Sequence, residues 1–375
     1  MPLFRRAAQA ACVVAALGAV TISAAAQVPG RLDDSTFWRM SSEFSEPNGT
    51  FRSENLLSNE TTFQYVIPEL LRTIKPGGVY LGVAPEQNFT YIVALKPAMV
   101  FICDIRRGNL LEHLMYKSLM EMSDTRADFV SRLFSRRRPA GLDTASSAEA
   151  IFAAFDSISP DTALYRQNFD AIRNHLIKDH GFDLSQADIL QLGQVYDAFY
   201  QAGPELTYNF PNGNGFGGGR GGMPDYYQLM VATDGTGLDR SYLANEANYR
   251  WLRDFEVRNL LVPVVGNFAG PKALRAIGAY VRAHDATITT FYLSNVEQYL
   301  FQDGIAGQFY ENVATFPLDS TSTFIRSIGG GRGGGFGGGG VRLGSVISSM
   351  SEMIQAYKDG RIQTWQDVGA MSHQR

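Results

Sequence analysis

Two short apolar runs constrain this chain more than any other feature. They are "VYLGV" at 79–83 and "AMVFICDI" at 98–105. A strand with one wet face alternates polar and apolar residues. A continuous apolar run suits a strand covered on both faces, as in a parallel sheet. Between the two runs, "NFTYIVALK" at 88–96 has helical length, and Pro97 ends it. Strand, helix, strand is the unit that lets neighbouring strands run parallel. "NLLEHLMYKSLMEM" at 109–122 then repeats its apolar residues at the helical period.

The pattern returns late in the chain. "RNLLVPVVGNFAG" at 258–270 predicts a strand and turn, and "PKALRAIGAYVRAH" at 271–284 a helix with proline at its first position. "ATITTFYLSN" at 286–295 reads as a strand, and "VEQYLFQD" begins a helix. "GQFYENVATF" and "TSTFIRSI", near 307–328, read as late strands without a helix between them, which predicts an antiparallel edge. The expected fold is α/β: a Rossmann-like, mostly parallel sheet with helices on both faces, an antiparallel C-terminal edge and a helical insertion. Its expected parts are a signal segment at 1–26, a lead-in or lid at 27–60 and a first sheet half at 61–122. A helical insertion with a glycine loop follows at 123–225, and a second sheet half at 226–375, with another glycine tract at 329–340.

The first 26 residues read as a targeting signal: Arg5 and Arg6, an apolar core at 10–22, and small residues before Gln27. That core is too short to span a bilayer, which takes about 20 apolar residues. A periplasmic or secreted protein, cleaved near Ala26 and without stable membrane insertion, is therefore expected. The formal charge is −4, and loss of the two arginines makes it −6. A mildly acidic surface argues against nucleic acid as a partner. Beyond the signal only Cys103 remains, so the mature chain holds no internal disulfide and stands on its apolar core. There is no HExxH, CxxC or GxSxG, and the five histidines are scattered, so no metal is expected. Oligomeric state is not legible.

The candidate site follows from the crossover unit. A nucleoside-type ligand needs small residues at the first strand-to-helix turn and a carboxylate at the end of the next strand, about 20 residues on. Gly82 and Asp104 stand in those places. The turn "GVAPEQNF" keeps one glycine, and Pro85 removes an N–H that a pyrophosphate would use. Glu86, Gln87 and Asn88 are then the groups to meet a ribose or an amino-acid portion, with Arg106 beside Asp104. Two later strand ends add Asn267, Asn295 and Glu297 as candidate acceptor-side residues. Glu54, Asn55, Asn59 and Glu60 are candidate lid residues. Glu112, His113, Tyr116 and Lys117 share helical faces that either look into the crevice or lie exposed.

"SENLLSNETTFQYVIPEL", "YLGVAPEQNFTYI", "FICDIRRGNLLEHLMYKSLMEMS" and "TTFYLSNVEQYLF" resemble an uncharacterised family of exported bacterial proteins. The resemblance covers about residues 50–135 and 245–310, and its implied architecture is that of S-adenosylmethionine-dependent methyltransferases. By that analogy Gly82 matches the first-strand glycine and Asp104 the ribose-binding acid. The implied ligand is S-adenosylmethionine or a related nucleoside or amino-acid molecule. Three readings stand: a methyltransferase, a non-catalytic binder on the same scaffold, and an enzyme built on Asp104, Glu112 and His113.

Overall fold

A computed structural model describes residues 27–51, 53–208, 223–329 and 343–373. The stretch 1–26, expected to be a targeting signal, and most of both glycine tracts lie outside these residues.

Six strands form one sheet: β1 Val79–Gly82, β2 Met99–Asp104, β3 Leu261–Val265, β4 Ile288–Ser294, β5 Thr323–Gly329 and β6 Leu343–Ser349. Their order is β3-β2-β1-β4-β5-β6. All neighbours are parallel except β5 and β6, which pair antiparallel from Thr323↔Ser349 to Gly329↔Leu343. The parallel strands β1, β2 and β3 are buried at every position, as their unbroken apolar runs require. The expected antiparallel edge is therefore β6.

Two local expectations change. The stretch 307–316 is not a strand. Ala306–Val313 is a helix, with Ala306, Phe309, Tyr310 and Val313 buried at i, i+3, i+4 and i+7. That spacing is helical, and it outweighs the aromatic content that suggested a strand. Pro271 is not the first residue of its helix, which runs Ala273–Ala283. Pro68 lies in the first turn of the helix Ile67–Thr73, where its missing N–H is tolerated.

The helix Arg107–Glu121 is the axis of the molecule. Every residue from Gly108 to Met120 is buried, so neither face is left to solvent. Helices at Gln186–Ala202 and Glu246–Val257 cover the side turned away from the sheet. Phe199 meets Tyr116 edge to face at 5.8 Å, and Tyr249 donates to the Ser123 carbonyl at 2.8 Å. Among the described residues no named strand falls between Asp104 and Leu261, where eight helical segments follow one another after that axis. No helix among the described residues is long and apolar enough to cross a membrane.

Candidate functional site

Strand order reverses between β1 and β4: the chain moves outward from β1 to β3, then returns to the other side of β1. Crossovers on the two sides diverge there, which leaves a crevice at the carboxyl ends of the strands. A cavity of about 930 Å³ occupies that edge. Residues from the ends of β1, β2, β3 and β4 line it, along with the lead-in.

Backbone bonds hold the lead-in against the strand ends. Glu46 N–H donates to the Val265 carbonyl at the end of β3, and Gly49 N–H to the Ile105 carbonyl just past β2, both at 2.8 Å. The Glu46 carboxylate accepts from the N–H groups of Lys272 and Ala273, at 2.8 and 2.9 Å, and so caps the helix that begins there. Phe51 reaches across to Tyr299, edge on, with ring centroids 5.3 Å apart. Asn55, Asn59 and Glu60 line the cavity, whereas Glu54 only lends its carbonyl to Arg106.

Glu60 organises the wall at the strand reversal. Its Oε1 accepts from Tyr292 at 2.8 Å and Ser294 at 2.6 Å, both on β4. Its Oε2 accepts from Gln87 Nε2 at 2.9 Å, at the helix after β1. Ser58 Oγ in turn donates to Gln87 Oε1. One carboxylate thus ties the lead-in to β4 and to the helix after β1. Burial raises the Glu60 carboxyl above its ordinary range, while the donors from Ser294, Gln87 and Tyr292 oppose that rise. Ala84 and Ser294, at the ends of β1 and β4, hold φ of 64° and 50°. Non-glycine residues in that region carry strain, and such strain concentrates at functional edges.

Asp104 ends β2 and lines the cavity. It is not bare. Its Oδ1 accepts the Arg106 N–H at 2.9 Å and lies 3.2 Å from Arg106 Nε. Arg106 also lines the cavity. Gln87, Asn267 and Asn295 line it too. Asn267 Oδ1 accepts from Ala269 N–H at 2.9 Å, closing the turn after β3.

The other proposed site residues point elsewhere. Asn88 does not line the cavity; its Nδ2 donates to the carbonyls of Val83, Ala84 and Pro85 at 2.8, 3.1 and 2.8 Å. Its Oδ1 accepts from Tyr80 at 2.8 Å. Gly82 serves this side chain, because a Cβ there would collide with Asn88 and touch Ile102. Glycine at the end of β1 makes room for an internal brace. Glu86 lies beneath the loop, fully buried, with no donor in bonding geometry for either oxygen. Burial pushes its carboxyl up to about 8, so it is neutral at pH 7. Glu297 is also away from the cavity. Arg326 holds both its oxygens, and Tyr310 donates to it at 2.7 Å.

Glu112 and His113 likewise fall outside the cavity, so they do not join Asp104 in it. His113 Nε2 lies 3.0 Å from the Ala84 carbonyl and steadies the loop from below. Burial holds its imidazole down to about 4, so it is neutral. Lys117 reaches the Glu256 carbonyl at 2.5 Å. Tyr292 carried no signal in sequence: it becomes a wall residue only because β4 lies beside β1.

The chain matches, over residues 56–341, the profile of a family described as a domain of unknown function, DUF7790, and it belongs to that family. No curated protein matches it.

Proposed function

For this member of a family whose description names no activity, we propose that the crevice binds a small polar ligand of the S-adenosylmethionine class, meaning a nucleoside joined to an amino acid. The observation that carries the reading is the convergence of four strand ends on one cavity at the strand reversal, with a carboxylate at the end of the second. Ligands of open α/β sheets sit at that place. A volume of about 930 Å³ suits such a molecule. Asp104 would accept from ribose hydroxyls with Arg106 beside it. Asn267, Asn295 and Gln87 would offer amide donors and acceptors, with Phe51 and Phe268 supplying apolar surface. The loop after β1, braced through its carbonyls by Asn88, is a poor cradle for phosphate, which favours a ligand without one.

A second reading has its own support. Two of the carboxylates that line the cavity are already spent, Asp104 on Arg106 and Glu60 on Tyr292, Ser294 and Gln87. No unpaired base is left among them, which favours binding without turnover.

Calorimetric titration with S-adenosylmethionine and S-adenosylhomocysteine tests the reading. Micromolar binding is expected. Asp104→Asn should weaken it by about 1–3 kcal/mol, the scale of a hydrogen bond to a charged group. Asn295→Phe, which fills the cavity and removes no side-chain cap, should weaken it further. Folded, ligand-free protein that binds neither compound would rule out this ligand class. Methyl transfer from bound donor to protein extract would then separate enzyme from binder.

A further inference from the structure

About the far end of the axial helix, away from the crevice, stands a second cluster. Glu121 closes the helix Arg107–Glu121. His175 and His180 bracket a π-helical turn, His175–Asp179, in which His180 N–H donates to the His175 carbonyl at 3.0 Å. On an α-helix, residues five apart point about 140° away from each other. The wider π turn brings both rings to one side, and such turns are frequent at functional sites. Glu121 Oε2 lies 2.7 Å from His175 Nε2 and 2.7 Å from His180 Nε2. The remaining ring nitrogens meet carboxylates as well: His175 Nδ1 with Asp179 at 2.8 Å, and His180 Nδ1 with Asp34 at 2.7 Å.

All four ring nitrogens therefore face carboxylate oxygens. An ionised carboxylate only accepts. Hydrogen bonding alone would need a proton on every nitrogen, hence two imidazolium rings with centroids 4.7 Å apart and one oxygen shared between them. A metal ion satisfies the same atoms with neutral rings. Each Nδ1–H donates to its aspartate, and each Nε2 lone pair joins Glu121 Oε2 on the ion. Histidine ligands are commonly oriented by a carboxylate on the second nitrogen in this way.

We propose that Glu121, His175 and His180 bind one divalent transition-metal ion of the zinc class, with Asp34 and Asp179 orienting the two imidazoles. Lys117 Nζ donates to the other oxygen of Glu121 at 2.7 Å, which leaves Oε2 as the single ligating atom. Glu121, Asp34, Asp179 and Lys117 together carry two net negative charges, which a divalent ion cancels. Bonds of about 2.0–2.1 Å at tetrahedral angles separate ligand atoms by about 3.3 Å, so Glu121 Oε2 must draw back from each Nε2, now 2.7 Å away. His180 and its partner Asp34 line an open groove with Trp38 and Gly181, and the His175 side chain is partly exposed, which gives the ion a way in. Three protein ligands leave one coordination position for water or another ligand. This inference is independent of the crevice and its ligand.

The test uses untagged full-length chain, stripped with chelator and titrated with Co²⁺ and Zn²⁺. One ion per chain is expected, with a visible Co²⁺ ligand-field spectrum that Zn²⁺ abolishes. His175→Gln combined with His180→Gln should lose the spectrum. Asp34→Asn keeps all three ligands and should keep the one-to-one ratio, while affinity falls about 10- to 100-fold. If stripping unfolds the protein, refolding by Zn²⁺ but not by Mg²⁺ supports the site. Folded wild-type chain that takes up neither ion, or a double variant that binds as tightly as wild type, overturns it.

Discussion

Two glutamates stand on opposite sides of the loop after β1 and meet opposite fates. Glu60 faces the crevice and accepts from Tyr292, Ser294 and Gln87. Glu86 lies beneath the loop, near Glu112, with no side-chain donor to either carboxylate, and the backbone N–H groups of Glu86 and Ser58 only partly offset its burial. Both are buried, and burial raises both carboxyls. On the crevice side the fold supplies donors. Beneath it the fold supplies Phe89, which meets His113, Tyr116 and Tyr242 edge to face at 5.1–5.6 Å. The contrast teaches that a buried acid can be a structural tie or a neutral filler, and that the supply of donors decides which.

The largest expected effect breaks the tie. Glu60→Ala leaves two hydroxyls and an amide without their acceptor inside the wall. Each stranded donor costs about 1–3 kcal/mol, and a loss on the order of 3 kcal/mol in denaturant unfolding is expected. A change below about 1 kcal/mol would mean that water replaces the carboxylate and that the lid is not fastened there.

The neutral filler predicts a pH slope. Glu86 has a folded value of about 8 against an ordinary value of 4.5. The folded chain therefore holds a proton that the unfolded chain has released, and stability falls as pH rises from about 4.5 to about 8. Groups that face it are Glu60, Glu112, Tyr116, Tyr226 and Tyr242. Glu112 shifts the same way, because burial and Glu86 both disfavour its charge. His113 acts on the acid side, where stability drains as pH falls from about 6.5 through about 4. Glu86→Gln should flatten the fall between pH 5 and 8, by on the order of 1 kcal/mol per pH unit. An unchanged slope, in unfolding curves taken at both pH values, would place a charge-stabilising partner near Glu86.

The smallest effect sharpens the comparison. Thr90 sits one turn beyond Glu86, buried, with no partner for its hydroxyl. Thr90→Val keeps the shape and deletes the orphan, so stability should rise by less than about 1 kcal/mol. A clear loss would reveal an ordered water under the loop.

Much of the scaffold was legible before any fold was known. Val79–Gly82, Met99–Asp104, Leu261–Val265 and Ile288–Ser294 all lie within stretches whose apolar content predicts strands. Gln87–Leu95 ends before Pro97, as proline requires. The candidate crevice was legible in part. Asp104, Arg106, Gln87, Asn267 and Asn295 reach the cavity. Gly82, Glu86, Asn88 and Glu297 do not, because position at a strand end does not state which way a side chain turns or what meets it. Spacing along 109–122 predicts an exposed or a crevice face, but helices far along the chain bury it on all sides.

The sequence by itself determined that strands alternate with helices and that the main strands are covered on both faces. Those properties rest on local spacing and on transfer of apolar side chains from water, which each segment carries with it. Tertiary structure alone decided partners. It placed Glu60 among donors from β4 and gave Glu86 no side-chain donor. It seated Arg326 on Glu297 and brought His175 and His180 round a π turn to Glu121. Hydrogen bonds and ion pairs act over a few ångströms between residues tens to hundreds of positions apart, so they exist only once the chain has closed on itself.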